Sequence, residues 1–258
     1  TGSDQVWNPH IFDFDEMFFF PFETKATKIG YSVSIGESSL EDIRGYSKYA
    51  KDFPYVGLRE KGAKEKVEAI CGHSVVDTVD PVLLLTREDW ETFVDKSSPL
   101  AKEKYLLCYL IDKKPIKQNM AIAEQIAKER GLKIKYIWMH LEKESFRGNF
   151  INDASPVEFL NYMYHASAVM TDGYHGTVFS TIFNKPMYSV INNRQSTDSR
   201  IRDYLTLIGL ESRIFYGDAP VIPKEEIDYT EVDPKIRSAA DASKAFLQSA
   251  IDNERVVK

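Results

Sequence analysis

The stretch of this sequence richest in chemistry is TDGYHGTVFSTIFNKP, residues 171–186, where an aspartate, two glycines and a histidine stand between an apolar segment and an amphipathic one. Read as strand, turn and helix, it puts Asp172, Gly173, His175 and Gly176 at a strand's carboxyl end. The glycines permit backbone conformations and close approaches that a side chain forbids. The first N–H groups of the following helix form an end that attracts anions. An unperturbed imidazole titrates at about 6.5, so a histidine there is a candidate general acid or base. His175 is therefore the catalytic candidate, with Asp172, Gly176 and Thr177 as substrate-binding candidates around it. One histidine beside two glycines suits a capping or core residue equally well, and spacing alone leaves both roles open.

Other groups would serve an anionic or polyhydroxy ligand. Arg59, in GLREKGAKE, ends a short apolar strand, and its guanidinium suits a carboxylate or phosphate; an ion pair with Glu60, Glu65 or another acid is its other reading. Arg200, in DSRIRDYL, opens a helix after the loop NNRQSTDS, either facing the same crevice or solvated at the helix start. Asp4 and Asn8 of GSDQVWN suit sugar hydroxyls, or turn and helix capping. Asp80, before Pro81, reads as a site aspartate or a turn residue. His10, His73, His140 and His165 form no metal-ligand pattern, and no metal site is expected. Cys71 and Cys108 read as buried thiols in a reducing setting.

These residues need a frame, and the frame reads as α/β. KIGYSVSIG (28–36), YVGLRE (55–60), VVDTVDPVLLL (75–85, cut by Pro81), YLLCYLID (105–112), KIKYIWMH (133–140), SAVMTD (167–172) and PMYSVIN (186–192) are strand-like. Between them, LEDIRGYSKYAKDF, GAKEKVEAIC, residues 116–130, and the helix opened by Ser155, Pro156 and Glu158 are helical, and EKESFRGNFINDA (142–154) reads as a loop. Such alternation implies parallel pairing through crossover helices, with sites at the strands' carboxyl ends. The Ser97–Pro99 cluster marks a boundary: residues 1–98 form a first domain, 99–217 a second, and 218–258 a connector and a helix packing back toward the first.

The chain carries 33 Lys+Arg against 39 Asp+Glu, a net charge of −6, which argues against bulk nucleic-acid binding. No run approaches the roughly 18 apolar residues of a membrane helix, and no secretory leader is written at the start. A cytoplasmic location is expected.

Together, GSDQVWNP, KIGYSVSIG, YVGLRE, VVDTVDPVLLL, SPVEFLNYMYHASAVMTD and GYHGTVFSTIFNKP resemble the polysaccharide pyruvyl transferase family across nearly the whole chain. The resemblance implies two Rossmann-like, GT-B-like domains with mostly parallel sheets and a cleft between them. The first is expected to be incomplete, because family members carry a further segment before GSDQVWN. It also implies transfer of a pyruvyl group from phosphoenolpyruvate to sugar hydroxyls as a ketal, with phosphoenolpyruvate as donor substrate, no other cofactor, and the metal requirement open. Arg59 would bind the anionic donor and His175 would protonate its methylene carbon. The acceptor would be a saccharide, nucleotide- or lipid-linked, met in the cytoplasm or at the membrane's inner face, and exposed apolar strands would favour a homo-oligomer.

One position departs from the family. Members with an R-L-H pattern have an arginine where this chain has Gly173, so either Arg200, Arg194 or Lys185 supplies that cation or this branch uses another donor or acceptor. A GT-B nucleotide-sugar glycosyltransferase and a non-catalytic sugar-binding or assembly protein are the alternative readings, and the identity of the donor separates them.

Overall fold

The apolar segments of the sequence become two all-parallel sheets. The computed structural model describes residues 1–12, 15–22, 24–112, 115–138, 149–191, 199–216, 222–223 and 225–252. Its contacts divide the chain into two units, one made of Thr1–Leu84, Asp198–Asp203 and Thr230–Lys258, the other of Leu85–Thr197 and Tyr204–Tyr229. The first break falls at Leu84, where the sequence reading placed it at residue 98.

In the first unit, β1 (Ile29–Val33), β2 (Tyr55–Leu58) and β3 (Val76–Asp77) pair in that order. Thr1–Ser3 run along the free edge of β1, with a parallel bridge from Gly2 to Tyr31 and the Tyr31 N–H donating to the Thr1 carbonyl at 2.8 Å. The segment LEDIRGYSKYAKDF, expected as one helix, forms three short turns, Leu40–Ile43, Arg44–Tyr46 and Ser47–Ala50. Gly45 at its centre weakens a helix by about 1 kcal/mol relative to Ala, yet Ile43, Tyr46 and Ala50 still face inward. The helix Lys64–Cys71 closes on Gly72 at φ +78°, a conformation that favours glycine. Pro81 cuts the third apolar run as expected: two residues pair as β3, and a 3-10 turn begins at the proline. Trp7 anchors the core, fully buried and stacked on Phe19 at 4.8 Å. From Thr230 onward the helix Tyr229–Ile251 belongs to this unit, and its Ser243 hydroxyl accepts the Val79 N–H at 2.9 Å.

The second unit holds β4 (Tyr105–Leu110), β5 (Lys133–Trp138), β6 (Asn149–Ile151), β7 (Ala168–Thr171), β8 (Met187–Ile191) and β9 (Ile214–Tyr216), in the order β6-β5-β4-β7-β8-β9. Counted from β4 this is 3-2-1-4-5-6, the doubly wound order in which the winding reverses between the two central strands. The reversal lies between β4 and β7, which pair in register from Leu106–Ala168 to Tyr109–Thr171. Leu106, Cys108 and Leu110 pack with Ile122, Ala123 and Ile126 of the helix Ile116–Arg130. Both cysteines are free and buried, as expected. Ser155 closes the expected capping box with Glu158. The sequence reading took β6 for loop and did not name β9; each has three residues at a sheet edge, too few for an alternating pattern to register. Among the described residues no helix is long and apolar enough to cross a membrane.

Candidate functional site

In the second unit, β7 ends at Thr171 and the helix Tyr174–Ile182 starts three residues later, so Asp172 and Gly173 form the turn at the reversal point. Hydroxyls fix this turn. Thr171 Oγ1 accepts the Gly173 N–H at 3.1 Å, Thr177 Oγ1 donates to the Gly173 carbonyl at 3.1 Å, and Ser180 Oγ donates to the Gly176 carbonyl at 2.7 Å. Gly176 is required by close approach: a Cβ there would meet Thr171 Oγ1 at 2.2 Å and Tyr109 Cδ1 at 2.8 Å. Gly173 is the N-cap, and its residue type gives the helix no side-chain cap. His175 is the second helical residue and partly exposed, with the buried Tyr174 ring edge-on to it at 5.4 Å. An imidazole thus stands at a helix start that favours anions, at the carboxyl end of a central strand.

The partners expected around His175 take different roles. Asp172 is buried, and its carboxylate accepts the Ile111 N–H at 2.7 Å, the Asp112 N–H at 3.2 Å and Asn119 Nδ2 at 3.1 Å. These donors tie the end of β4 to the end of β7. Burial outweighs them and pushes the Asp172 carboxyl up to about 7. Thr177 is fully buried, its hydroxyl shared between the Gly173 carbonyl and Ser189 Oγ at 2.8 Å. Asp172, Gly176 and Thr177 therefore shape the turn that leads to His175. The space that a side chain at position 173 would enter is taken by Ile111, whose Cδ1 lies 2.5 Å from where a Cβ would stand. Lys185 cannot supply a cation there. It precedes β8, at the sheet's amino end, while His175 lies on the first turn of a helix that starts at the carboxyl end, and the helix from His175 to Ile182 alone rises roughly 10 Å. Arg194 and His140 lie outside the described residues.

In the first unit, the carboxyl ends of all three strands contribute to one polar cluster. Arg59 follows β2 with its side chain only 2% exposed, and Nη1 donates to Asp80 Oδ2 at 2.7 Å while Nη2 donates to Ser34 Oγ at 3.2 Å. The ion pair expected with Glu60, Glu65 or another acid is present: Asp80, beyond β3, is the nearest partner, and Glu60 Oε1 lies 3.9 Å from Arg59 Nε. Ser34 Oγ donates to Glu60 Oε1 in a short contact, whereas Glu60 Oε2 is buried with no hydrogen-bond partner among the described residues. Burial raises the Glu60 carboxyl, against the nearby Arg59 charge, toward its protonated form.

Asp4 is the exposed member of this cluster, its side chain 66% accessible and its Oδ1 3.8 Å from Arg59 Nη2 and 3.7 Å from Arg200 Nη1. Ser3, Asp4 and Gln5 are consecutive left-handed residues, at φ +62°, +34° and +62°. Non-glycine residues held there store on the order of 1 kcal/mol each, a strain that clusters at functional sites. Ser3 holds the turn from below, its hydroxyl donating to Asp80 Oδ2 at 2.9 Å. Asn8 is buried and accepts the His10 N–H at 2.9 Å and the Ser38 hydroxyl at 3.1 Å, the capping role among its two readings. The structure thus groups Asp4, Arg59 and Arg200 in the first unit, and His175, Asp172, Gly176 and Thr177 in the second.

Sequence reasoning missed Ile111, Asn119, Ser34 and the partnership of Asp80. Ile111 was findable, since it is the first residue beyond the strongest apolar strand, where strand-end crevices draw their walls. Among the described residues no group of three or more His, Cys, Asp or Glu is placed to hold a metal ion.

The model of the family described as "Polysaccharide pyruvyl transferase" matches residues 1–194. No curated protein gives a match. Among solved structures, UDP-N-acetylglucosamine 2-epimerase from Rickettsia bellii is 11% identical with a TM-score of 0.57, over 88% of this chain and 68% of that one. An S. aureus MnaA structure with UDP is 14% identical at 0.52, over 88% and 64%. UDP-GlcNAc 2-epimerase from Methanocaldococcus jannaschii is 11% identical at 0.50, over 84% and 63%. The chain spans about two thirds of the length of these structures, and at such identities the likeness is one of fold alone, GT-B-like.

Proposed function

We propose that this chain, which belongs to the polysaccharide pyruvyl transferase family, moves a pyruvyl group from phosphoenolpyruvate onto two hydroxyls of a saccharide as a cyclic ketal. The observation that carries the reading is His175 at the reversal point of the second unit's sheet, on the first turn of a helix, inside the region that the family model covers.

In this reading the protonated His175 ring gives its proton to the methylene carbon, C3, of phosphoenolpyruvate. The C2–C3 π electrons form the new C–H bond, and C2 becomes an oxocarbenium-like centre. An acceptor hydroxyl oxygen bonds to C2 and releases its proton to the neutral imidazole, which restores the acid. The C2–O bond to phosphate then breaks with its electron pair, and a second hydroxyl closes the ketal, its proton leaving with inorganic phosphate. General acid catalysis of this kind contributes on the order of 10² to 10⁴ in rate. The helix start beside His175 favours the donor's negative charge.

The first unit's groups divide by exposure. Arg200, whose side chain is 19% exposed, is proposed to bind a carboxylate or phosphate, and Asp4 to bind sugar hydroxyls. Arg59, buried on Asp80, is proposed to fix the strained turn that carries Asp4.

The test is calorimetric titration of phosphoenolpyruvate and a panel of nucleoside diphosphates, followed by a transfer assay on sugars. Binding and consumption of phosphoenolpyruvate without nucleotide binding supports pyruvyl transfer. Nucleotide binding alone moves the protein to glycosyl transfer, and neither moves it to a non-catalytic role.

A further inference from the structure

We propose that Ile111 is the specificity-determining wall of the His175 site, the apolar surface against which the methylene end of a three-carbon enol phosphate lies while it is protonated. The proposal rests on the pyruvyl-transfer reading and adds to it a residue that the sequence reading gave no role.

Ile111 is the first residue after β4, at the reversal point of the sheet. Its backbone is held from the other side of that point by Asp172, which accepts its N–H at 2.7 Å. Its side chain lies over the N-cap of the helix that carries His175: a Cβ on Gly173 would stand 2.5 Å from Ile111 Cδ1 and 3.2 Å from Cγ1. Yet Ile111 keeps 39% of its surface open, whereas Leu110 just before it is fully buried. Tyr109 continues the lining, its ring packed under Gly176 and edge-on to Phe159 at 5.0 Å. A large aliphatic side chain on a tethered backbone therefore stands partly exposed beside the glycine two residues before the proposed acid.

That placement has a chemical use. Protonation of carbon competes with hydration of the reactive centre, so the methylene needs one face kept dry. An aliphatic wall excludes water there and offers nothing to a carboxylate or phosphate, which turns the donor's charges away and its methylene toward Ile111. Gly173 is the complementary half, because any side chain at that position forces Ile111 aside. Asp172 is the positioning residue, acting through the Ile111 and Asp112 N–H groups. Ile111 takes no part in bond-making; the proton and electrons move as in the reaction above.

The test uses the full chain with ¹³C-labelled isoleucine δ1-methyl groups, Ile111→Val to assign the resonance, and the kinetic variants Ile111→Ala and Ile111→Leu, their folding checked by circular dichroism. Phosphoenolpyruvate should shift the Ile111 methyl resonance and inorganic phosphate should not. Ile111→Ala should raise the KM for phosphoenolpyruvate about tenfold and divert turnover from ketal toward free pyruvate, and Ile111→Leu, which keeps the apolar bulk, should show a smaller change in both than Ile111→Ala. An unmoved resonance in active protein saturated with donor, with Ile111→Ala constants equal to wild type, overturns the wall and leaves pyruvyl transfer standing. A wild type that neither binds nor consumes phosphoenolpyruvate overturns both.

Discussion

Asp172 holds Ile111 across the point where the second sheet reverses, its Oδ1 accepting the Ile111 N–H at 2.7 Å. The bond joins the loop after β4 to the turn before the His175 helix and so ties the two strand ends together. A buried carboxylate that accepts three N–H bonds serves as a brace, and the reactive group is set beside it.

This brace has a pH signature. Burial pushes the Asp172 carboxyl up to about 7, against an ordinary aspartate at about 3.9. Between those values the folded protein holds a proton that the unfolded chain has released. The contribution is complete below about pH 4 and is lost as the pH rises through 7. Urea unfolding of wild type and Asp172→Asn should show the wild-type advantage shrinking over that interval, by up to about 4 kcal/mol. A difference that stays constant with pH contradicts the assignment.

Gly176→Ala tests the close packing under the turn. Its Cβ would collide with Thr171 Oγ1 at 2.2 Å and Tyr109 Cδ1 at 2.8 Å, an overpacking that costs about 1–3 kcal/mol. In a chain of this length each kcal/mol lowers Tm by about 2–4 °C. Calorimetry should therefore find a fall of several degrees, and an unchanged Tm would show that the turn has room to give.

The first unit offers a separate test. Asp80→Ala removes the nearest partner of a guanidinium whose side chain is 2% exposed, leaving it Asp4 at 3.8 Å and Glu60 at 3.9 Å, and breaking a buried pair costs up to about 3–5 kcal/mol. The paired change Arg59→Met with Asp80→Leu removes both charges and should recover most of that loss. If the double variant unfolds as readily as the single one in urea, the pair does more than neutralise charge.

Much of this architecture was written in the sequence, because its signals are local. The apolar runs at 105–110 and 168–171, the Ser155 capping box, and the glycines closing helices at 72 and 131 each settle a neighbourhood by themselves. His175 was legible for the same reason, since strand, glycines and helix adjoin it. Of Arg59's partners, the adjacent Glu60 was legible and Asp80 was not: Asp80 is 21 residues away and is brought to it only by the pairing of β2 with β3. Asp172 looked like a ligand-binding carboxylate because its donors lie about 60 residues upstream, and sequence offers no register between β4 and β7. The three-residue strands β6 and β9 escaped because edge pairing, and not composition, makes them strands.

The central claim, that His175 is the acid of a pyruvyl transfer, is tested most directly by one assay. Phosphate release and ketal formation from phosphoenolpyruvate, with a panel of sugar acceptors, are measured for wild type and His175→Gln at matched folded concentration. The account predicts one phosphate released per ketal by the wild type, and a rate at least about 10²-fold lower in the variant with unchanged unfolding. Full turnover by His175→Gln contradicts it.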